Sequence, residues 1–198
     1  MTRQSVPTYH FEFRGGLSGR GEVTRTGSLI DSGTTRLMRY WLDDFPLAAS
    51  SGRMMPAAAA DLIDVATAIY IADRLALREV VDDPRMPQDR WHRRLHIVVP
   101  VRDPRRWTRT EVIAYLEDLL AFLTDDAWTI EFVRRSVDAR RSEIQIPLVT
   151  RHSDMPATIL QSGGLDSFAG LVELLSRGES TVVTPVTVVT NHRVRRML

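Results

Sequence analysis

The sequence predicts an α/β protein in which an N-terminal α+β region precedes the start of a parallel-sheet domain. Three observations support this prediction. Residues 158–160 form a short apolar run that leads into a glycine-rich turn and a helical pattern over 168–175. Residues 181–190 are rich in valine and threonine, as expected for a second strand. Upstream, two long helical patterns alternate with short strand patterns over residues 1–150.

The first 55 residues contain one clear strand pattern and one ambiguous segment. Residues 8–14 alternate aromatic and polar side chains, which predicts a strand with Tyr9, Phe11 and Phe13 on one face. Residues 15–21 contain four glycines and predict a flexible loop, and residues 35–42 predict a strand or a short helix. Three nearby arginines are interpreted as exposed loop residues, with phosphate contact as the alternative: Arg14, Arg20 and Arg25.

The alanine-rich segment over residues 56–78 predicts a helix, because alanine favours helices and Pro56 is tolerated in a first turn. Asp61 and Asp64 lie one turn apart, a spacing that would suit two ligands of a metal, but no third ligand lies near them in the sequence. We therefore expect both on the solvated face. The predicted apolar stripe consists of Leu62, Val65, Ala66, Ile69, Ala72 and Leu75.

Residues 95–101 are largely apolar and predict a strand that is buried on both faces. Arginines and tryptophans flank it over 91–94 and 102–107, a pattern that suits either a nucleic-acid surface or the ends of a buried strand, and we favour the second. His92 and His96 have the i, i+4 spacing that brings two metal ligands together on a helix. In a strand the same spacing keeps the two side chains apart, so we do not expect a metal site here.

The next predicted element is a core helix that ends at Thr124 and is capped by Thr108 or Thr110. Residues 128–133 and 143–148 predict two strands that pair as a hairpin. We place a domain boundary near residue 150, between an N-terminal α+β domain (1–150) and the parallel unit (151–198). The predicted core positions of the helix are Val112, Ile113, Leu116, Leu119, Leu120 and Leu123.

Composition narrows the class of protein. The chain has 198 residues, a hydrophobic fraction of 43% and a net charge of +1, as in ordinary globular proteins without an overall attraction to nucleic acid or membrane. Cysteine is absent, which excludes disulfides and cysteine nucleophiles in these residues and is compatible with a cytoplasmic protein. No apolar run approaches the ~20 residues of a membrane helix.

The turn after residue 160 has the composition of an anion-binding loop. Gly163 and Gly164 allow backbone angles that bring several N–H groups into one concavity, and the following helix directs its positive end at the same place. The hydroxyls of Ser162 and Ser167 would add two donors. We expect Asp166 or Ser167 to be the N-cap of this helix.

The sequence SGGLDS over 162–167 resembles the SGGxDS signature of the PP-loop, or N-type, ATP pyrophosphatases. The resemblance implies binding of ATP with Mg²⁺, transfer of AMP to an acceptor oxygen and release of pyrophosphate. Arg193, after the second strand, would contact phosphate or substrate. The implied nucleotide-binding residues are Leu160, Gln161, Ser162, Gly163, Gly164, Leu165, Asp166, Ser167 and Arg193.

Within this superfamily the chain is most similar to 7-cyano-7-deazaguanine synthase (QueC)-like proteins. Residues 61–75 and the segment after them also resemble QueC-like proteins of bacterial antiphage defence systems. The acceptor implied is a deazapurine-like small molecule or a protein. The sequence supplies two of the roughly five strands of such a domain, so we expect a fragment, a truncated reading frame or half of an assembly.

Two other functions stay open. The first is a PP-loop enzyme that modifies tRNA, with the arginine and tryptophan clusters as the RNA surface. The second is a non-catalytic module in which residues 1–150 bind a protein partner and the loop is vestigial. The catalytic residues, the acceptor and the oligomeric state are not determined by the sequence.

Overall fold

The computed structural model describes residues 6–15, 20–27, 35–51, 54–78, 92–137, 139–144, 157–160, 164–177 and 183–186. Over these residues the protein is α/β. The chain divides into two compact units, Met1–Phe45 with Met54–Gln145 and Pro46–Arg53 with Ile146–Leu198. The boundary predicted near residue 150 falls in the stretch 145–156, outside the described residues.

The described part of the first unit contains a five-stranded mixed sheet in the order β3-β2-β1-β4-β5. Strands β1, β4 and β5 are parallel, whereas β2 is antiparallel to β1 and β3 is antiparallel to β2. The strand bounds are β1 Thr8–Gly15, β2 Arg20–Thr26, β3 Arg36–Trp41, β4 Arg94–Val101 and β5 Ala127–Arg134.

The strands confirm some predictions and correct others. The strand at residues 8–14 is confirmed, and the ambiguous segment 35–42 is a strand. Strand β2 was missed, because Arg20 and Gly21 resemble loop residues while both belong to the strand. Arg25 was interpreted as an exposed loop residue and is instead buried, where its Nη1 donates to the Leu75 carbonyl at 2.9 Å.

The helices are α1 Phe45–Ser51, α2 Ala57–Leu75, α3 Pro104–Trp107, α4 Thr110–Thr124 and α5 Arg141–Ile144. Helices α2 and α4 agree with the predicted helices. The predicted strand 143–148 is wrong over its described part, since Glu143 and Ile144 belong to α5. The rest of that strand, 145–148, and its pairing in a hairpin lie outside the described residues. Arg109, rather than Thr108 or Thr110, is the N-cap of α4 and has no capping side-chain bond.

One face of the sheet forms the core with α2 and α4. Tyr9, Phe11 and Phe13 are buried there, as predicted. Burial alternates along β4, so that Leu95, Ile97, Val99 and Val101 are buried and the residues between them are half-buried. The prediction that this strand is buried on both faces is therefore wrong, because His96, Val98 and Pro100 on the second face are only half-buried.

The two helices were predicted correctly, but some of the residues predicted to face the core are exposed. Leu62 of α2 is 58% exposed, while Ala60 and Ala68 are buried. The small alanine side chains allow α2 to lie close to the sheet, which turns Leu62 outward. Leu119 and Leu123 of α4 are also exposed, because the buried side of that helix centres on Leu120.

Arg93 joins the C-terminal end of α2 to the amino ends of β4 and β5. Its guanidinium is 2% exposed and donates to the buried carboxylate of Asp126, to the Asp73 carboxylate at 2.6 Å and to the Ala76 carbonyl. Asp126 also accepts from the Arg93 backbone amide and from Arg78. Burial lowers the pKa of Arg93, but hydrogen bonds with Asp126 and Asp73 outweigh it, so the pKa is raised and the charge is retained.

The described part of the second unit contains most of α1 and a strand, helix, strand sequence: β6 Ala157–Leu160, α6 Leu165–Ser176 and β7 Val183–Val186. Strands β6 and β7 pair in parallel from Ala157 opposite Val183 to Leu160 opposite Val186. The parallel arrangement predicted from the sequence is thus confirmed. Among the described helices, none is both long and apolar enough to cross a membrane.

We predict that Arg93→Met lowers the free energy of unfolding by about 3 kcal/mol, because the buried carboxylate of Asp126 loses its main partner. Urea unfolding measures the change. Arg94→Met, at the exposed adjacent position in β4, is the matched control and should change stability by less than about 0.5 kcal/mol. Equal effects of the two substitutions would contradict the assignment of Arg93 as a buried anchor.

Candidate functional site

The glycine-rich turn lies at the carboxyl end of β6. Leu160 is the last residue of β6, and α6 begins five residues later at Leu165. Helix α6 packs on this strand, since a Cβ added to Gly170 would lie 3.7 Å from Ile159 Cδ1. The turn therefore joins the carboxyl end of one strand of a parallel pair to the amino end of a helix, the usual position of ligand sites in α/β sheets.

Gly164 is the N-cap of α6, which corrects the prediction that Asp166 or Ser167 has this role. Its extended backbone, with φ −85° and ψ 164°, is typical of an N-cap. The helical hydrogen bonds start at Phe168, whose N–H donates to the Gly164 carbonyl at 3.1 Å. The helix therefore begins earlier than predicted, and the amides of Leu165 to Ser167 precede its first helical bond.

The described side chains of this turn have distinct environments. Asp166 is exposed in the first turn of α6, where a carboxylate interacts favourably with the helix dipole. The Ser167 hydroxyl donates to the Gly164 carbonyl at 2.9 Å. This hydrogen bond closes the first turn of α6. Leu165 is 81% exposed.

The remaining predicted residues lie outside the described part of the chain. These are Gln161, Ser162, Gly163 and Arg193. The structure brings together Leu160, Gly164, Leu165, Asp166 and Ser167 at one end of the β6–α6 unit. That Arg193 meets them stays a prediction.

A second group of polar residues, missed by the sequence analysis, lies at the carboxyl ends of β4 and β5. Arg102 follows the last residue of β4 and Arg135 follows the last residue of β5, so the parallel pairing places both at one edge of the sheet. We call this group the edge cluster. It consists of Asp44, Asp61, Asp64, Arg102, Arg135, Arg140 and Glu143.

Asp61 is the most buried carboxylate of the edge cluster, with a side chain that is 0% exposed. It accepts from the Arg102 backbone amide at 2.8 Å, from the Arg102 guanidinium at 2.9 Å and from Trp107 Nε1 at 3.1 Å. The prediction that Asp61 lies on a solvated helix face is therefore wrong. Helical periodicity could not reveal this, because the partners come from a segment about 40 residues away.

The other members complete a network of ion pairs. Asp64 accepts from Arg102 at 2.7 Å and from Arg135 at 3.2 Å, and it also pairs with Arg140. Glu143 accepts from Arg102 Nη2 at 2.9 Å and from the Arg140 backbone amide at 2.6 Å. Asp44 lies 2.7 Å from Arg140 Nη2. The correction for Asp61 extends to Asp64, which is ion-paired rather than solvated.

The ion pairs and the burial of the network shift the pKa values of its own members. Burial alone raises the pKa of Glu143, but the hydrogen bonds from Arg102 and the Arg140 amide outweigh it and lower the pKa. The pKa of Arg135 is lowered by burial and then by the nearby Arg102. Since each of the four carboxylates pairs with a cation of the cluster, the group joins α2, both strand ends and α5. Its arrangement suits a scaffold better than proton transfer to a substrate.

The arginine and tryptophan segments around β4 are divided between buried Arg93 and Trp107 and exposed Arg94, Arg105 and Arg106, while Trp91 lies outside the described residues. Trp107 is 8% exposed and its ring contacts Phe132 at 5.3 Å between centroids, so it cannot stack on a base. His96 Nδ1 lies 2.9 Å from His10 Nδ1, whereas His92 contacts Asp125. Within the described residues, no group of three or more histidine or acidic side chains is arranged to hold a metal ion.

Comparisons with known proteins were made at the levels of family, sequence and structure. No family model, curated protein or solved structure matches the chain. Functional inference therefore depends on the residues and their geometry.

We predict that Asp61→Asn lowers the free energy of unfolding by about 3 kcal/mol, because Arg102 and Trp107 lose part of a shared buried acceptor. Chemical denaturation measures the effect. Asp118→Asn, an acid exposed on α4, is the control and should have little effect. A near-neutral Asp61→Asn would show that the edge cluster does not stabilise the fold.

The lowered pKa of Glu143 predicts how the stability of the fold depends on pH. Its folded pKa lies below the ordinary value of 4.5, so its contribution is complete above that value and is lost as pH falls through the folded pKa. Glu143→Gln should therefore reduce the loss of unfolding free energy between about pH 6 and about pH 3.5. Glu111→Gln, at an exposed acid, serves as control, and an unchanged acid limb in Glu143→Gln would contradict the prediction.

Proposed function

We propose that the chain binds Mg·ATP at the turn between β6 and α6 and belongs to an adenylating enzyme of the PP-loop type. The observation that carries the proposal is the coincidence of the SGGLDS sequence with a parallel strand, turn, helix, strand unit. Sequence and local topology agree, although either could occur alone. Glycine-rich turns at helix N-termini bind phosphates through backbone N–H groups and the helix dipole.

The chemistry of the described residues fits a magnesium nucleotide. The first-turn amides of α6 are suited to the anionic phosphate oxygens, and the exposed Asp166 is an oxygen ligand of the kind that Mg²⁺ prefers. We infer that Gly164, Leu165 and Ser167 face the phosphates and that Asp166 helps to hold the metal. Bound ATP would supply an activated α-phosphorus for transfer of AMP to an acceptor.

The acceptor class follows from the resemblance to QueC-like proteins. We propose a carboxyl or related group, on a deazapurine-like small molecule or on a protein, that is activated for attack by a nitrogen nucleophile. A role in antiphage defence is the biological context that the resemblance suggests. The tRNA-modifying alternative is less favoured, because Arg93 and Trp107 are buried and cannot serve as an RNA surface.

The proposal is tested by incubating the chain with α-³²P-labelled ATP, Mg²⁺ and inorganic pyrophosphatase, and by measuring ATP binding in parallel. We expect Ser162→Ala with Asp166→Ala to reduce AMP formation by about 100-fold or more, as for loss of preorganised transition-state contacts. Gly163→Asp should abolish ATP binding, because it adds a side chain and a negative charge to the phosphate loop.

The matched control is Glu173→Ala with Ser176→Ala, the same residue chemistry at the other end of α6. It should leave ATP binding and AMP formation unchanged. If the unmodified chain neither binds Mg·ATP nor forms AMP, the proposal fails for this chain. Salt-dependent tRNA binding that requires no nucleotide would instead favour the RNA alternative.

A further inference from the structure

A cavity of about 610 Å³ lies at the end of the β1–β2 hairpin beside β3, in the first unit. Its volume falls in the range of about 300–1,000 Å³ that is typical of small-molecule sites. The described residues that line the cavity all belong to the first unit, whereas the proposed ATP loop belongs to the second. Its side-chain lining includes Arg14, Arg20, Glu22, Arg39, Tyr40 and Trp41.

The strand register arranges five of these side chains on one face of the sheet. Arg14 is opposite Glu22, and Glu22 is opposite Arg39, which makes one row across three strands. Arg20 is opposite Trp41 in the next row. Because residues two apart in a strand share a face, both rows lie on the face opposite the buried core residues such as Phe13 and Val23.

The lining carries an excess of positive charge. Three arginines accompany one carboxylate, and Glu22 is already 3.4 Å from Arg39 Nε. Arg14 pairs with Glu12, which is outside the lining. Arg20 has no ion-pair partner among the described residues. The cavity is thus suited to an anion, and Arg20 and Arg39 are the arginines closest in register to Trp41.

Trp41 favours a ligand that carries an aromatic ring as well as a negative charge. Its side chain lines the cavity yet is 69% exposed, so a large apolar ring is presented to solvent beside cations. Exposed tryptophan next to arginine is the combination that binds a nucleobase by stacking and its phosphate by charge. The described tryptophans of the core, by contrast, are buried.

Tyr40 and Gly21 also border the cavity, but they are directed to the opposite, core face of the same strands. A Cβ added to Gly21 would lie 2.1 Å from Tyr40 Cζ, so the tyrosine ring lies directly on β2 at the glycine. The same ring contacts Phe13 edge-on, with 6.1 Å between centroids. The Tyr40 ring therefore belongs to the core, and the exposed face of the cavity is formed by the arginines, Glu22 and Trp41.

From this geometry we infer that the cavity binds a nucleoside phosphate, with the base against Trp41 and the phosphate between Arg20 and Arg39. The ligand is either a free mononucleotide or the phosphorylated end of a single strand, which share this chemistry. Arg20 thereby acquires the phosphate-binding role that the sequence left as the alternative.

The test titrates AMP, GMP, CMP and UMP into the 198-residue chain by calorimetry, without Mg²⁺ and at low salt. Using a monophosphate without Mg²⁺ disfavours binding at the ATP loop. The titrations are repeated with Gly163→Asp, which should abolish any binding at that loop. We expect saturable binding in both proteins. A 5′-phosphorylated pentanucleotide is titrated in parallel, and tighter binding of it would identify a nucleic-acid end as the source of the ligand.

Three variants examine the lining. Trp41→Ala and the double variant Arg20→Ala/Arg39→Ala should each weaken binding about tenfold or more, whereas Trp41→Phe should retain most of the affinity. The controls are Leu37→Ala, an exposed apolar residue of β3, and Arg106→Ala, an exposed arginine of α3. Circular dichroism confirms folding, which these exposed positions should not disturb.

Two results would overturn the inference. One is the absence of saturable binding for all mononucleotides and for the pentanucleotide. The other is binding that is lost in Gly163→Asp but unchanged in the cavity variants, which would assign the nucleotide to the ATP loop and leave the proposed function intact. Conversely, loss of AMP formation in the loop variants has no bearing on this cavity.

Discussion

The first unit depends on buried ion pairs that fasten α2 to the sheet at both of its ends. Near its N-terminus, Asp61 and Asp64 bind Arg102 at the carboxyl end of β4. Near its C-terminus, Asp73 binds Arg93 at the amino end of the same strand. Burying these charges is costly, so each must meet its partner. Since acid and arginine are paired at both ends, α2 is held in one direction and at one height against the strands.

The ion pairs between α2 and the sheet also affect where a ligand can bind. In open α/β sheets, ligands bind beyond the carboxyl ends of parallel strands. At the carboxyl ends of β4 and β5 that position is filled by the edge cluster, whose carboxylates are occupied by arginines. The two proposed nucleotide sites lie elsewhere, one at the turn before α6 and one at the hairpin of β1 and β2. At the hairpin site, Arg20 has no ion-pair partner within the part of the chain that the structure describes.

The accuracy of the sequence-based predictions differs between elements for physical reasons. Strands β1 and β5 and helices α2 and α4 were predictable, because a period of two or 3.6 residues reports directly which side of an element is apolar. Strand β2 was not, since Arg20 and Gly21 are stabilised by pairing with β3 rather than by any local preference. In the candidate site, the strand, turn and helix were foreseen, while the helix start moved to Gly164. The N-cap therefore lies two or three residues before the predicted Asp166 or Ser167. Backbone geometry sets the exact end of a helix, and composition does not specify it.

The sequence by itself determined the α/β class, the order of the main elements and the resemblance of residues 162–167 to a nucleotide-binding loop, because these depend on local spacing and residue type. The folded structure was needed to show that Asp61 and Arg93 are each buried in an ion pair, with different partners, and that Arg20, Arg39 and Trp41 line one cavity. These residues are separated in sequence by strands and helices. Their environments arise from strand register and helix packing, which bring charges and rings together only after the chain has folded.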